Sequence, residues 1–209
     1  MQTLLQGLII GFCIAAPVGP INLLCLRRSL VDGRRVGFIS GLGAAAADTV
    51  YGAIAALGLT AITDFLILHR PWLQFFGGIF MCGLGLEMMW KKPTRRETNA
   101  PLHVSRMRDA FVSTFLLTLP NPVTIIAFTG VFAGLGLGWQ TDGVAGTFEL
   151  IGGVFIGSSL WWLVLTLLAG TFGRHLNDGT LRWITFGAGV VIAAFGAWQL
   201  GWLAWGRIW

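Results

Sequence analysis

Residues 3–26 read TLLQGLIIGFCIAAPVGPINLLCL, and Arg27-Arg28 follow at once. No charge interrupts this stretch, and about 20 apolar residues are enough to cross a bilayer core of roughly 30 Å. The run has no basic leader and continues past Pro17 and Pro20 to Leu26. It therefore reads as a first membrane helix, not a cleaved signal peptide.

Blocks of the same kind recur along the 209 residues. Hydrophobic residues make up 55% and charged ones only 11%, where a soluble domain carries about 25% charge. A soluble all-α protein would need polar helix faces, and these blocks lack them. The expected helices cover roughly 3–26, 36–60, Pro71 to just before Pro93, 109–135, 146–170 and 180–205. Asp32-Gly33 and Asn177-Asp178-Gly179 mark turns. Trp72 and Trp90 lie about 27 Å apart along the third helix at 1.5 Å per residue, the spacing of two interfacial anchors. Trp202, Trp205 and Trp209 suggest a further anchor at the C-terminus.

The formal charge of +5 does not point to nucleic acid, because the cations sit in short loops between apolar blocks. Arg27, Arg28, Arg34 and Arg35 fall in the first loop. Lys91, Lys92, Arg95, Arg96, Arg106 and Arg108 fall in the third, and Arg174 and Arg182 in the fifth. The other side holds only Arg70 and Arg207. The positive-inside rule puts the three basic loops in the cytoplasm and both termini outside. Residues 92–108 read as a cytoplasmic linker between a first unit, 1–91, and a second, 109–209. Cys13, Cys25 and Cys82 form neither a CxxC nor a Cys/His cluster and read as small buried apolar residues. Glu87 pairs by spacing with Lys91. His69, His103 and His175 read as loop residues.

The two units are alike. Pro20-Ile21-Asn22-Leu23-Leu24 matches Pro122-Val123-Thr124-Ile125-Ile126, and Gly78 and Gly85 match Gly189 and Gly196. Three spans per unit force the second to lie upside down, as in the inverted repeats of transporters. Pro17-Val18-Gly19-Pro20 and Pro120-Asn121-Pro122 should break their helices. Gly19-Pro20 and Asn121-Pro122 read as a cap followed by a first helical residue. Each break then starts a half-helix near the midplane. Its free N–H groups would suit a carboxylate. A plain structural kink is the alternative.

Asp48 lies mid-helix, where an ionised carboxylate costs at least about 2.5–3.5 kcal/mol. Its helical neighbours Gly41, Ala44, Ala45, Tyr51, Gly52 and Ala55 are almost all small. A carboxylate placed there can carry a proton or hold an ammonium; a static hydrogen-bonded acid is the alternative. In the second unit Ser159 takes the place of Asp48 and Trp162 that of Tyr51, while Trp161 and Trp162 could equally be core packing.

The stretch PVGPINLLCLRRSLVDGRRVGFISGLGAAAADTVYG, followed later by TFLLTLPNPVTIIAF, resembles the LysE/RhtB family of bacterial amino-acid exporters over nearly the whole chain. The resemblance implies an inner-membrane carrier that moves amino acids or related metabolites outward on ion gradients. Pro20, Asp48, Asn121 and Pro122 fall on the family's motif positions. Pro17-Val18-Gly19-Pro20 departs from the plain Pro-Gly-Pro of many members and does not identify a substrate.

The expectation is an all-α membrane protein of six transmembrane helices in two inverted three-helix repeats, with helices 1 and 4 broken at proline motifs. Its function would be secondary transport of a small zwitterion, not enzymatic catalysis. The substrate would meet Gly19, Pro20, Asn22, Asp48, Tyr51, Asn121, Pro122, Thr124, Ser159 and Trp162, with Asp48 also carrying the coupling proton. No cofactor, metal or nucleic acid is expected. The partners are a small-molecule substrate and the lipid bilayer, with a homodimer left open. A divalent-metal exporter and a membrane thiol–disulfide conductor are the rivals. The first would need several metal ligands converging in the membrane; the second would need paired cysteines on both lead helices.

Overall fold

The computed structural model describes residues 2–17, 19–57, 60–91, 104–121, 124, 127–128, 143–173 and 176–205. Among them there are seven helices and no strand: α1 Gln2–Ala15, α2 Pro20–Val31, α3 Arg34–Ala56, α4 Thr60–Trp90, α5 Val104–Thr118, α6 Gly143–Gly173 and α7 Asp178–Trp205.

The first apolar block is two helices. α1 and α2 meet at 83° across the proline break. Gly19 is the N-cap of α2, in an extended conformation with φ −140° and ψ −174°, and Pro20 takes the first turn. Proline fits there because its missing N–H would find no intrahelical partner anyway. Gly33 turns the chain into α3 with φ +99°, a conformation that side chains with a Cβ disfavour. Asn177 Oδ1 accepts the Thr180 backbone N–H at 2.7 Å and caps α7.

Among the described residues three stretches are long and apolar enough to cross a membrane: Pro71–Trp90, Gly143–Gly173 and Asp178–Leu203. The bent α1–α2 pair makes a fourth if it is one span. α3 is not among them. It opens on Arg34-Arg35 and carries Asp48 in a stretch rich in Gly and Ala. The outward faces are apolar, with Leu5, Ile9, Phe76, Phe148, Leu167 and Val191 all exposed. A soluble monomer does not present so much contiguous apolar surface, whereas lipid accepts it.

Several boundaries differ from the sequence reading. The third helix starts at Thr60, not at Pro71, which lies inside α4; membrane helices tolerate such a proline when the freed carbonyl is met locally. His69 is consequently helical and not in a loop. The second helix ends at Ala56, and α5 begins at Val104, so residues 104–108 of the expected linker are helical. Residues 92–103 and 129–142, with the end of the expected fourth helix, lie outside the described residues. So do His103, Arg174, His175, Arg207 and Trp209. Cys25 is buried, but Cys13 is exposed on the outward face of α1. A thiol is apolar enough for lipid contact, so polarity alone did not place it. Trp72, Trp90 and Trp202 are exposed, as anchors should be.

Packing depends on missing side chains. α1 runs alongside α6 in the same direction. A Cβ on Gly7 would sit 2.4 Å from the Leu150 carbonyl oxygen, and one on Gly11 2.1 Å from that of Val154. α4 and α7 cross in opposite senses at reciprocal glycines. A Cβ on Gly78 would meet the Gly196 carbonyl, and one on Gly196 that of Gly78; Gly85 and Gly189 repeat the relation. Such close approach is how membrane helices gain packing energy without a hydrophobic drive. α3 packs between α5 and α6.

Candidate functional site

The helix break exposes carbonyls that the polar side chains nearby satisfy. Asn22 Nδ2 donates to the Ala15 carbonyl at 3.2 Å and to the Pro17 carbonyl at 2.9 Å. Its Oδ1 accepts the Trp161 indole N–H at 2.9 Å. Both amide hydrogens of Asn22 are thus spent on the end of α1, whose last carbonyls have no intrahelical partner. The second break has a similar device. α5 ends at Thr118, and the Tyr51 hydroxyl donates to the carbonyl of Leu119, just beyond. Tyr51 also packs on the Phe128 ring at 5.5 Å.

Asp48 is buried between α3 and α6, with 3% of its surface exposed. Ser158 Oγ donates to Asp48 Oδ2 at 2.7 Å, and Trp162 Nε1 donates to Ser158 Oγ at 3.2 Å. A Cβ on Gly41 would fall 2.5 Å from the Trp162 side chain. The small face around Asp48 is therefore the bed on which Trp162 lies. Among the described residues no cation lies within ion-pair distance of Asp48. The carboxylate is held by a hydroxyl, with an indole behind it.

The structure brings Asp48 and Trp162 together through Ser158, and Tyr51 to the end of α5. Asn22 sits at the first break with Trp161. Gly19 and Pro20 start α2 as expected. Asn121 and Thr124 are buried at the second break, and Pro122 lies outside the described residues. Ser159 is not the partner of Asp48; its hydroxyl has no partner among the described residues. One residue is about 100° of helix rotation, and it is Ser158 that turns toward α3.

A second polar cluster was not foreseen. Arg28 Nη1 lies 2.6 Å from Ser40 Oγ, 2.8 Å from Thr114 Oγ1 and 3.0 Å from the Ala110 carbonyl, and Nη2 lies 2.9 Å from Ser113 Oγ. Arg28 had read as one more loop cation. The only signal in the sequence was that Ile21, Leu24 and Cys25 lead to it at helical spacing. It borders a cavity of about 900 Å³ between the ends of α2, α4 and α5, a size that suits a small ligand.

A multi-pass helical membrane protein with a helix pair bent at a proline break and a buried acid is the class these features define. The family model for LysE type translocators matches residues 12–200, and the chain belongs to that family. The "Putative amino acid efflux protein YcgF" of Bacillus subtilis is 27% identical over 198 residues, 94% of each chain. The chemotactic transduction protein ChpE of Pseudomonas aeruginosa is 22% identical, covering 90% of this chain and 92% of its own. The uncharacterized membrane protein YahN of Escherichia coli is 26% identical over 52% of this chain and 49% of its own. No solved structure matches significantly.

Proposed function

We propose that the protein is a secondary transporter that exports an amino acid or a related small zwitterion across a bacterial inner membrane, in exchange for protons. Asp48 carries the reading. It is a carboxylate buried between α3 and α6 and partnered by a neutral hydroxyl. Such a group is expensive unless it does something. A proton or the substrate ammonium would neutralise it, and the N-terminus of α2 would receive the substrate carboxylate. Tyr51, Trp162, Thr124, Asn121 and Pro122 would complete the site. Asn22 would hold the break open and would not itself bind substrate. The name of the Bacillus subtilis relative supports efflux of amino acids as the direction and cargo.

The architecture of the proposal is six spans in two inverted repeats, with basic loops in the cytoplasm and both termini outside. The packing supports it. Exchanging the first three spans with the last three turns the α1–α6 contact into the α5–α3 contact and leaves α3–α6 and α4–α7 unchanged. The units 1–91 and 109–209, hinged by the linker, would rock to alternate access. For the metal-exporter alternative, no three His, Cys, Asp or Glu come together among the described residues. For thiol relay, Cys13 is exposed while Cys25 is buried, and the two are not paired.

The test is a substrate panel. Cells expressing the chain would be loaded with dipeptides, and each released amino acid measured outside. Export of one or a few, abolished by a protonophore, is expected. No increase in release for any amino acid would sink the proposal.

A further inference from the structure

The cavity at the basic end has a charge pattern that the transport site does not use. Among the described residues seven ionisable side chains border it, and six of them are already engaged or opposed. Asp32 lies between Arg27 at 3.7 Å and Arg106 at 3.5 Å. Glu87 holds Lys91 at 2.8 Å, and Asp109 lies 3.4 Å from Arg108. Arg28 differs. Among the described residues its guanidinium hydrogen-bonds only the hydroxyls of Ser40, Ser113 and Thr114 and the Ala110 carbonyl, with Asp32 and Glu87 near it but beyond ion-pair distance and each bound to another cation. Neutral oxygens orient a guanidinium without cancelling its charge. The planar fork is thus fixed by α3 and α5, beside a cavity that can hold a small molecule.

We infer that Arg28 is a carboxylate-docking station in this cavity, the first stop of the exported amino acid before it reaches the broken helix. This rests on the proposed function. Arginine takes a carboxylate through N–H donors; Nη1 is spent on Ser40, Thr114 and Ala110 and one Nη2 hydrogen on Ser113, which leaves Nε–H and the second Nη2 hydrogen for the carboxylate. The position suits a sequence of stops. Arg28 follows Pro20 by eight residues on α2, about 12 Å at 1.5 Å per residue. A carboxylate released by Arg28 therefore has about two helical turns to travel to the half-helix N-terminus. The neighbouring anions Asp32, Glu87 and Asp109 give the ammonium end somewhere to face. An amino acid would suit the cavity better than a simple anion.

Phenylglyoxal modification of arginine, read peptide by peptide by mass spectrometry, tests this on the full chain. The protein would be purified in neutral detergent and incubated with each of the standard L-amino acids, the matching amino-acid amides, inorganic phosphate, or micelles doped with phosphatidylglycerol. One or more amino acids should slow modification of Arg28 several-fold, their amides should not, and Arg108, which is exposed and does not border the cavity, should be unaffected. Equal modification of Arg28 with and without every amino acid would overturn the inference. So would equal protection by phosphate or by the anionic lipid, which would make the site one for phosphate groups. Amino-acid export by cells without protection of Arg28 sinks this inference alone. Protection without export of any amino acid sinks the proposed function and leaves the docking site standing.

Discussion

Asp48 and Asn22 are both buried polar residues, but they make opposite predictions. Asp48 has a carboxylate that could change its proton occupancy, and its bonded partner is the Ser158 hydroxyl. Asp48→Asn keeps the shape and still offers Ser158 an acceptor, so the variant should insert and purify as the parent does. Under the proposed function, gradient-driven export should collapse while substrate binding weakens less. Efflux measured at several external pH values checks it, and parent-like, pH-dependent export by Asp48→Asn would place the coupling elsewhere. Asn22 is different because its amide N–H groups run to the break itself and its oxygen to the Trp161 indole of α6. Asn22→Leu strands two carbonyls and an indole N–H, and each unmet buried group costs about 1–3 kcal/mol. The variant should melt earlier in purified form, with substrate recognition changed only as far as the break loosens. An unchanged melting midpoint would mean that water or another side chain meets these groups.

Elements pack where side chains are absent, and adjacent glycines on α6 separate that effect from helix propensity. A Cβ on Gly153 would lie 2.5 Å from the Leu4 carbonyl oxygen of α1, and one on Gly152 would meet nothing within 4 Å. Gly153→Ala should push α1 away from α6 and lower the melting midpoint. Gly152→Ala should be neutral or slightly stabilising, since alanine favours helix over glycine by up to about 1 kcal/mol. Parallel melting curves of the two variants decide it, and equal behaviour would refute the close α1–α6 approach. The same contrast marks what the sequence could reveal. Gly19-Pro20 announces the start of α2 because capping is local chemistry, and the Glu87–Lys91 pair is legible because i,i+4 spacing is local. The choice of Ser158 over Ser159 beside Asp48 depends on the phase and crossing of α3 against α6, which no single helix encodes. Arg28 reads like Arg27 until Ser113 and Thr114 arrive from α5, more than eighty residues along the chain. The helix through Pro71 escaped for the opposite reason: a strong local signal was overridden by its surroundings.

For the molecule as a whole, orientation and symmetry are separate claims with separate tests. Orientation follows from the basic loops. Val144 at the start of α6 and Ser105 at the start of α5 are both exposed and should lie on opposite sides. On a background without Cys13, Cys25 and Cys82, Val144→Cys should react with an impermeant maleimide added to intact cells. Ser105→Cys should react only after permeabilisation, and the reverse pattern would invert the topology.

The symmetry prediction reaches furthest. If the two units are inverted repeats, residues related by exchange differ by a fixed shift along the third spans. Gly78 and Gly85 then correspond to Gly189 and Gly196, and Cys82 to Ala193. The contacts join Gly78 to Gly196 and Gly85 to Gly189. Cys82 Sγ lies 3.6 Å from the Ala193 carbonyl. Each contact thus maps onto its partner under the exchange, as residues facing each other across a two-fold axis must. The axis would pass between Cys82 and Ala193, in the plane of the membrane. An experimental structure should superpose residues 3–91 on 109–205 by a rotation of about 180° around that axis. The lead helices are the independent check, because they lie away from it. After the rotation Pro20 should fall on Pro122, and the cap Gly19 on Asn121. A displacement of these prolines by more than one helical turn, about 5.4 Å, would reduce the symmetry to one glycine-rich crossing and remove the basis for a rocking mechanism.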